Sequence, residues 1–148
     1  MKPESRRPPK RSGAPVVRIH WKRYASYEEA QDCHRVIYLF EGKGRPYYWG
    51  KADRSYFGGN KRPRGDGKAC GRYCPSYDHL ITAFLMLGGR LYIGEPTLPD
   101  GVTLDDVEDL LTRKHEPEIP ARPGKCNLSL RLRNSGELPE CLRRHPKR

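Results

Sequence analysis

The sequence predicts an α+β fold: a small antiparallel three-stranded sheet flanked by helices, with basic, disordered tails. Three observations lead there. Two aromatic, β-rich runs flank a Gly-rich turn, the pattern of a hairpin. Two capped segments with helical apolar spacing follow, separated by a further β-rich run. Apolar residues make up only 35% of the 148 residues, against 15 Gly and 14 Pro, so a compact core must carry long connections.

Val17, Ile19 and Trp21 alternate with Arg18 and His20, which predicts a short strand over 16–21. Ser26 and Glu29 have capping-box spacing, opening a short helix to about His34. Val36 to Phe40 forms the first hairpin strand, residues 41–46 the turn, and Tyr47 to Ala52 the second strand. Residues 54–75 hold five Gly, two Pro and a cluster of basic side chains, so they read as a long loop. Loops of that length inside a small domain are usually functional. Ser76 can cap a helix that runs through Leu87 and stops at Gly88-Gly89. Arg90 to Gly94 predicts a third strand, Thr103 caps a helix over 104–115, and alternating Leu128, Leu130 and Leu132 suggest a late strand. The domain organisation expected is a basic tail over 1–14, one folded domain over 15–135, and a second basic tail over 136–148.

The charge is unevenly placed. The chain has 29 Lys+Arg against 18 Asp+Glu, a net +11. Residues 1–14 carry +4, the last eight residues carry another +4, and residues 54–72 hold six basic residues against Asp66 alone. An acidic partner is implied, and nucleic acid is the commonest one. No apolar run reaches the roughly 18–20 residues of a membrane-spanning helix. The basic start is not followed by the apolar stretch of a secretory signal. Five cysteines (33, 70, 74, 126, 141) make an odd count with no framework spacing. Reduced thiols in a cytoplasmic, DNA-associated protein are therefore expected. Cys70 and Cys74 could supply half of a zinc site, but the tight second pair is missing.

Val36-Ile37-Tyr38, Tyr48-Trp49-Gly50, Glu108 on a late helix and then Asn127 together resemble the GIY-YIG nuclease family. Nine residues, 39–47, separate the two tyrosines, as the family's short hairpin requires. The resemblance covers about residues 36–127, with Val36 in place of Gly and Trp49 in place of Ile. Tyr92-Ile93-Gly94 spells the second motif more closely, but it follows the first long helix and lies 54 positions past Tyr38. The resemblance implies an endonuclease that hydrolyses DNA phosphodiesters with a divalent metal, Mg²⁺ or Mn²⁺. A homodimer on DNA is one arrangement compatible with it.

Phosphodiester hydrolysis needs an activated water and relief of charge on the phosphoryl oxygens, and a metal supplies the latter. Mg²⁺ takes oxygen ligands and often only one or two carboxylates, so a single acid can suffice. Among the acids of helix 104–115, Glu108 falls about 40° from Leu104 and about 60° from Leu111, beside the apolar stripe. Asp105, Asp106 and Asp109 point farther from that stripe, toward solvent. Glu108 is thus the candidate metal ligand.

Tyr38 is the candidate that takes or relays the water's proton, with Tyr48 as its hydrogen-bonding partner. A phenol with a pKa of about 10 is a poor base at neutral pH, and a cation nearby lowers that value. The resemblance puts a phosphate-gripping arginine at the start of the helix beginning near Ser76, which makes Arg72 the candidate, with Arg54, Arg62 and Arg64 as its competitors. Tyr77 and His79, near where the family often has a Tyr or His, could protonate the leaving group or hold the scissile phosphate, and Asn127 resembles the family's late Asn, which orients the site. Lys51, Arg54, Lys61, Arg62, Arg64 and Lys68 would hold double-stranded DNA along its phosphates. The competing readings are a nucleic-acid-binding protein of the same fold that does not cut, and a small basic RNA-associated protein.

Overall fold

The computed structural model describes residues 13–54, 56–58, 78–119 and 129–143. The elements run β1 (Val16–Tyr24), α1 (Tyr27–Ala30), β2 (Val36–Gly42), β3 (Arg45–Ala52), α2 (Asp78–Met86), β4 (Arg90–Thr97), α3 (Leu104–Lys114), β5 (Arg131–Gly136) and α4 (Glu140–Arg143). The sheet has five strands in the order β3-β2-β4-β1-β5. This corrects the three-stranded expectation. The antiparallel unit β3-β2-β4 is extended by β1, antiparallel to β4, and by β5, parallel to β1. Strand patterns in the sequence show that β1 and β5 can be strands. Which backbone donors they satisfy is set by long-range pairing.

The hairpin turns through Lys43 and Gly44, both with positive φ (54° and 76°). That geometry matches the twist of paired strands and makes glycine valuable at the second position. A register shift at Phe40/Glu41 inserts an extra residue in β3, so Glu41 faces Pro46 and Phe40 faces Tyr48. Helix α1 is shorter than expected and stops at Ala30, although Ser26 Oγ does accept the Glu29 N–H at 3.2 Å. The chain must turn back into β2, and Arg35 takes a positive φ of 60° at that entry. Helix α2 ends as its glycines require: the Gly89 N–H donates to the Phe84 carbonyl at 2.9 Å, with Gly88 at φ +99°. In α3 the Thr103 cap is a full capping box closed by Asp106.

The two faces of the sheet bury separate layers. One holds Val17, Ile19, Trp21, Ile37, Leu39, Trp49 and Tyr92 against Leu104, Val107 and Leu111 of α3 and Cys141 of α4. The other holds Val36, Tyr38, Phe40, Ala52, Leu91 and Ile93 against Tyr27 and Ala30 of α1, Phe57, and Ile81 of α2. Trp21 organises the first layer. It meets Trp49 edge-on at 6.2 Å, and its Nε1 donates to Asn134 Oδ1 at 2.9 Å, tying β5 to β1. The expected C-terminal tail also needs correction, because it folds as far as Arg143. Glu41, 1% exposed, accepts the N–H groups of Glu140 and Cys141 at 3.2 and 2.8 Å, fixing α4 to the end of β2. Sequence periodicity has no means of showing a cap supplied from 99 positions away.

Candidate active site

Tyr38 and Gly50 are register partners on β2 and β3. A β-carbon added at Gly50 would lie 2.3 Å from Tyr38 Cζ and 2.4 Å from its Oη. The phenol end of Tyr38 therefore lies flat over Gly50 and points from the inner strand toward the sheet edge formed by β3. Only glycine leaves room for that crossing. Gly50 was not among the candidate residues, yet a glycine inside a strand is the available signal, since it often marks a close approach.

Tyr38 is 2% exposed and wedged among aromatics. Its ring meets Phe57 edge-on at 4.9 Å and Phe40 at 5.9 Å. Tyr48, half-buried, lies on the same face with its ring centroid 6.4 Å away. The two motif tyrosines are thus brought together, and Phe57 fixes the inner ring in place. Tyr92, from the alternative tripeptide, belongs to the opposite layer. Its following Gly94 makes room for Trp21 and Ile19 rather than for a phenol.

Glu108 is placed differently. Helix α3 packs on β3 and β2 across the face opposite the two phenols. Asp105, one turn before Glu108, forms an ion pair with Lys51 of β3 at 3.2 Å at the exposed rim of a contact held by Leu104, Val107 and Leu111. Glu108 is half-buried beside this pair. The sheet stands between Glu108 and the tyrosines, so a ligand touching both must straddle the β3 edge. Lys51, expected to hold DNA, has its charge engaged by Asp105. Asp109, expected to face solvent, is the most buried acid of the helix at 9% exposure. Arg113 folds back one turn to pair with it at 3.1 Å, which makes that burial tolerable.

His79 and Arg54 are exposed, on the first turn of α2 and just after β3. Arg72, Tyr77, Asn127, Lys61, Arg62, Arg64 and Lys68 lie outside the described residues, as do Cys70, Cys74 and Cys126. Among the described residues, no three His, Cys, Asp or Glu side chains gather as a metal cluster. Among them too, no helix is long and apolar enough to cross a membrane. Near the hairpin turn a groove of about 380 Å³ is lined by Lys43, Arg45, Tyr47, Phe84, Gly89 and Glu118. Tyr47 stacks on Phe84 there at 5.4 Å, and Arg45 pairs with Glu118 at 3.0 Å. Comparison of the chain with protein-family models, curated proteins and solved structures yields no match.

Proposed function

We propose that this protein is a metal-dependent endonuclease that hydrolyses DNA phosphodiester bonds at the β3 edge. The observation that carries the reading is the Tyr38 phenol laid over Gly50 toward that edge, with Tyr48 beside it. The same strand carries Lys51, paired with Asp105 one turn before Glu108, whose carboxylate reaches the phenols' side only around the β3 edge. Tyr38 takes or relays the proton of the attacking water, and Tyr48 orients it. Arg72 grips the scissile phosphate, Tyr77 or His79 serves the leaving oxygen, and Asn127 orients the site. Glu108 offers the hard oxygen donor that Mg²⁺ or Mn²⁺ prefers. When bound, the cation relieves charge on the phosphoryl group. Arg54, Lys61, Arg62, Arg64 and Lys68 track the phosphates of a duplex.

A second reading has a specific observation in its favour. Tyr38 is almost wholly buried and Glu108 is on the other face of the sheet, an arrangement that also suits a nucleic-acid-binding protein that does not cut. Incubation of plasmid with the protein and Mg²⁺ or Mn²⁺ decides between them. The nuclease reading expects nicked or linear product from the wild type. It expects Glu108→Ala and Tyr38→Phe to bind but lose most of the product. Binding without any product from the wild type leaves the second reading standing.

A further inference from the structure

Helices α1 and α2 cover only part of their face of the sheet. Beyond them, β1 and β5 present Arg18, His20, Lys22, Arg131, Arg133 and Ser135, all exposed. The register places these residues side by side. Arg18 is the partner of Arg133, and His20 is the partner of Ser135, with His20 Nδ1 3.4 Å from the Ser135 hydroxyl. Their neighbours Val17, Ile19 and Leu132 point the other way, into the α3 layer. The basic residues thus share one face by the alternation of strands. Among the described residues, none of the four Arg and Lys side chains is in an ion pair. Lys22 does lie over the Tyr24 ring at 5.1 Å. Glu95, opposite His20, is the acid that the pairing of β4 with β1 brings to this face.

Charge on an edge strand is a common guard against edge-to-edge aggregation. That accounts for Arg131 and Arg133 on β5. It does not account for Arg18, His20 and Lys22, because β1 is interior, between β4 and β5. We infer that this open face of β1 and β5 is a second docking surface for the phosphate backbone of duplex DNA, at the end of the sheet away from β3. Arg18 and Lys22 lie four residues apart on one strand, about 13 Å. Measured along the helix axis, that length passes about four phosphates of one DNA strand, at 3.4 Å of axis each. An anionic membrane is the weaker partner, since these charged and hydroxyl side chains offer it electrostatic attraction without the apolar insertion that strengthens vesicle binding. The inference rests on the nuclease reading only for the choice of DNA as the polyanion.

The test is binding of a 30-base-pair mixed-sequence duplex in EDTA, which separates binding from cutting, across a series of KCl concentrations. Arg18→Gln/Arg131→Gln/Arg133→Gln is compared with wild type. The control, Lys43→Gln/Lys114→Gln/Arg143→Gln, removes the same charge elsewhere. About 0.9 of log-log salt slope is lost per phosphate contact, so the patch variant should be shallower by about 2–3. It should also bind about 10²–10³-fold more weakly at 0.1 M salt, with the control much less affected. Should the triple variant fail to keep the wild-type melting temperature, Arg18→Gln/Lys22→Gln on the interior strand is read instead, with a slope loss of about 2. A slope matching the control overturns the inference and leaves the nuclease reading intact. A wild type that binds with the expected slope difference but never cuts leaves the inference intact and ends the nuclease reading. Wild-type binding to phosphatidylserine vesicles but not to the duplex overturns the inference.

Discussion

Gly50→Ala asks whether the placement of Tyr38 matters to chemistry or only to packing. The added methyl carbon would sit 2.3 Å from Tyr38 Cζ. Carbon atoms in contact prefer about 3.5–4.0 Å, so the ring must retreat by about 1.2 Å or more. It cannot do so freely, because Phe57 and Phe40 close on it from the same layer at 4.9 and 5.9 Å. Overpacking of this kind costs about 1–3 kcal/mol. A displacement of about 1 Å at a reacting group can cost about 10²-fold in rate. Gly94→Ala is the matched control. Its methyl would meet Ile19 Cγ2 at 2.7 Å and Trp21 at 2.8 Å, in the opposite layer. Both variants should lose comparable stability in urea titration. In single-turnover cleavage of plasmid, measured well below either midpoint, only Gly50→Ala should lose about 10²-fold. Equal cleavage by the two variants, per folded molecule, refutes a role for the Tyr38 hydroxyl at that edge.

Three further outcomes are expected. Trp21→Ala removes a fully buried ring together with its hydrogen bond to Asn134, and should cost about 3–5 kcal/mol by chemical denaturation. Glu41→Ala leaves two backbone donors of α4 without their carboxylate. It should cost about 2–3 kcal/mol and open the Cys141 thiol, now 8% exposed, to faster labelling by a thiol reagent. Stability should also fall on both sides of neutrality. Burial, helped by Lys114, holds the His115 pKa below its usual 6.5, so the unfolded chain takes up that proton first and stability drops as pH falls below about 6.5. Burial raises the Cys33 thiol above its usual 9.0, so the unfolded chain loses that proton first and stability drops as pH rises past 9. Denaturation midpoints of His115→Gln and Cys33→Ser across pH should each flatten one limb, and an unchanged limb excludes that residue as its source.

Local chemistry made much of this protein legible in the sequence alone. The alternation of Val17, Ile19 and Trp21 marks β1, the Gly-rich run 41–46 marks the hairpin turn that the structure narrows to Lys43-Gly44, Thr103 marks the start of α3, and Gly88-Gly89 marks the end of α2. Each depends on neighbours a few positions away, so composition and spacing suffice. The placing of Tyr38 and Tyr48 on adjacent strands follows from the same hairpin. Tertiary packing alone decided that β5 runs parallel to β1, that Glu41 caps α4, and that α3 lies across the sheet from both phenols. A helical wheel shows that Glu108 borders an apolar stripe, but not which face of which sheet that stripe will cover. That choice is made by the side chains of Trp21, Trp49 and Leu39, which fill one layer and leave the other to Tyr38.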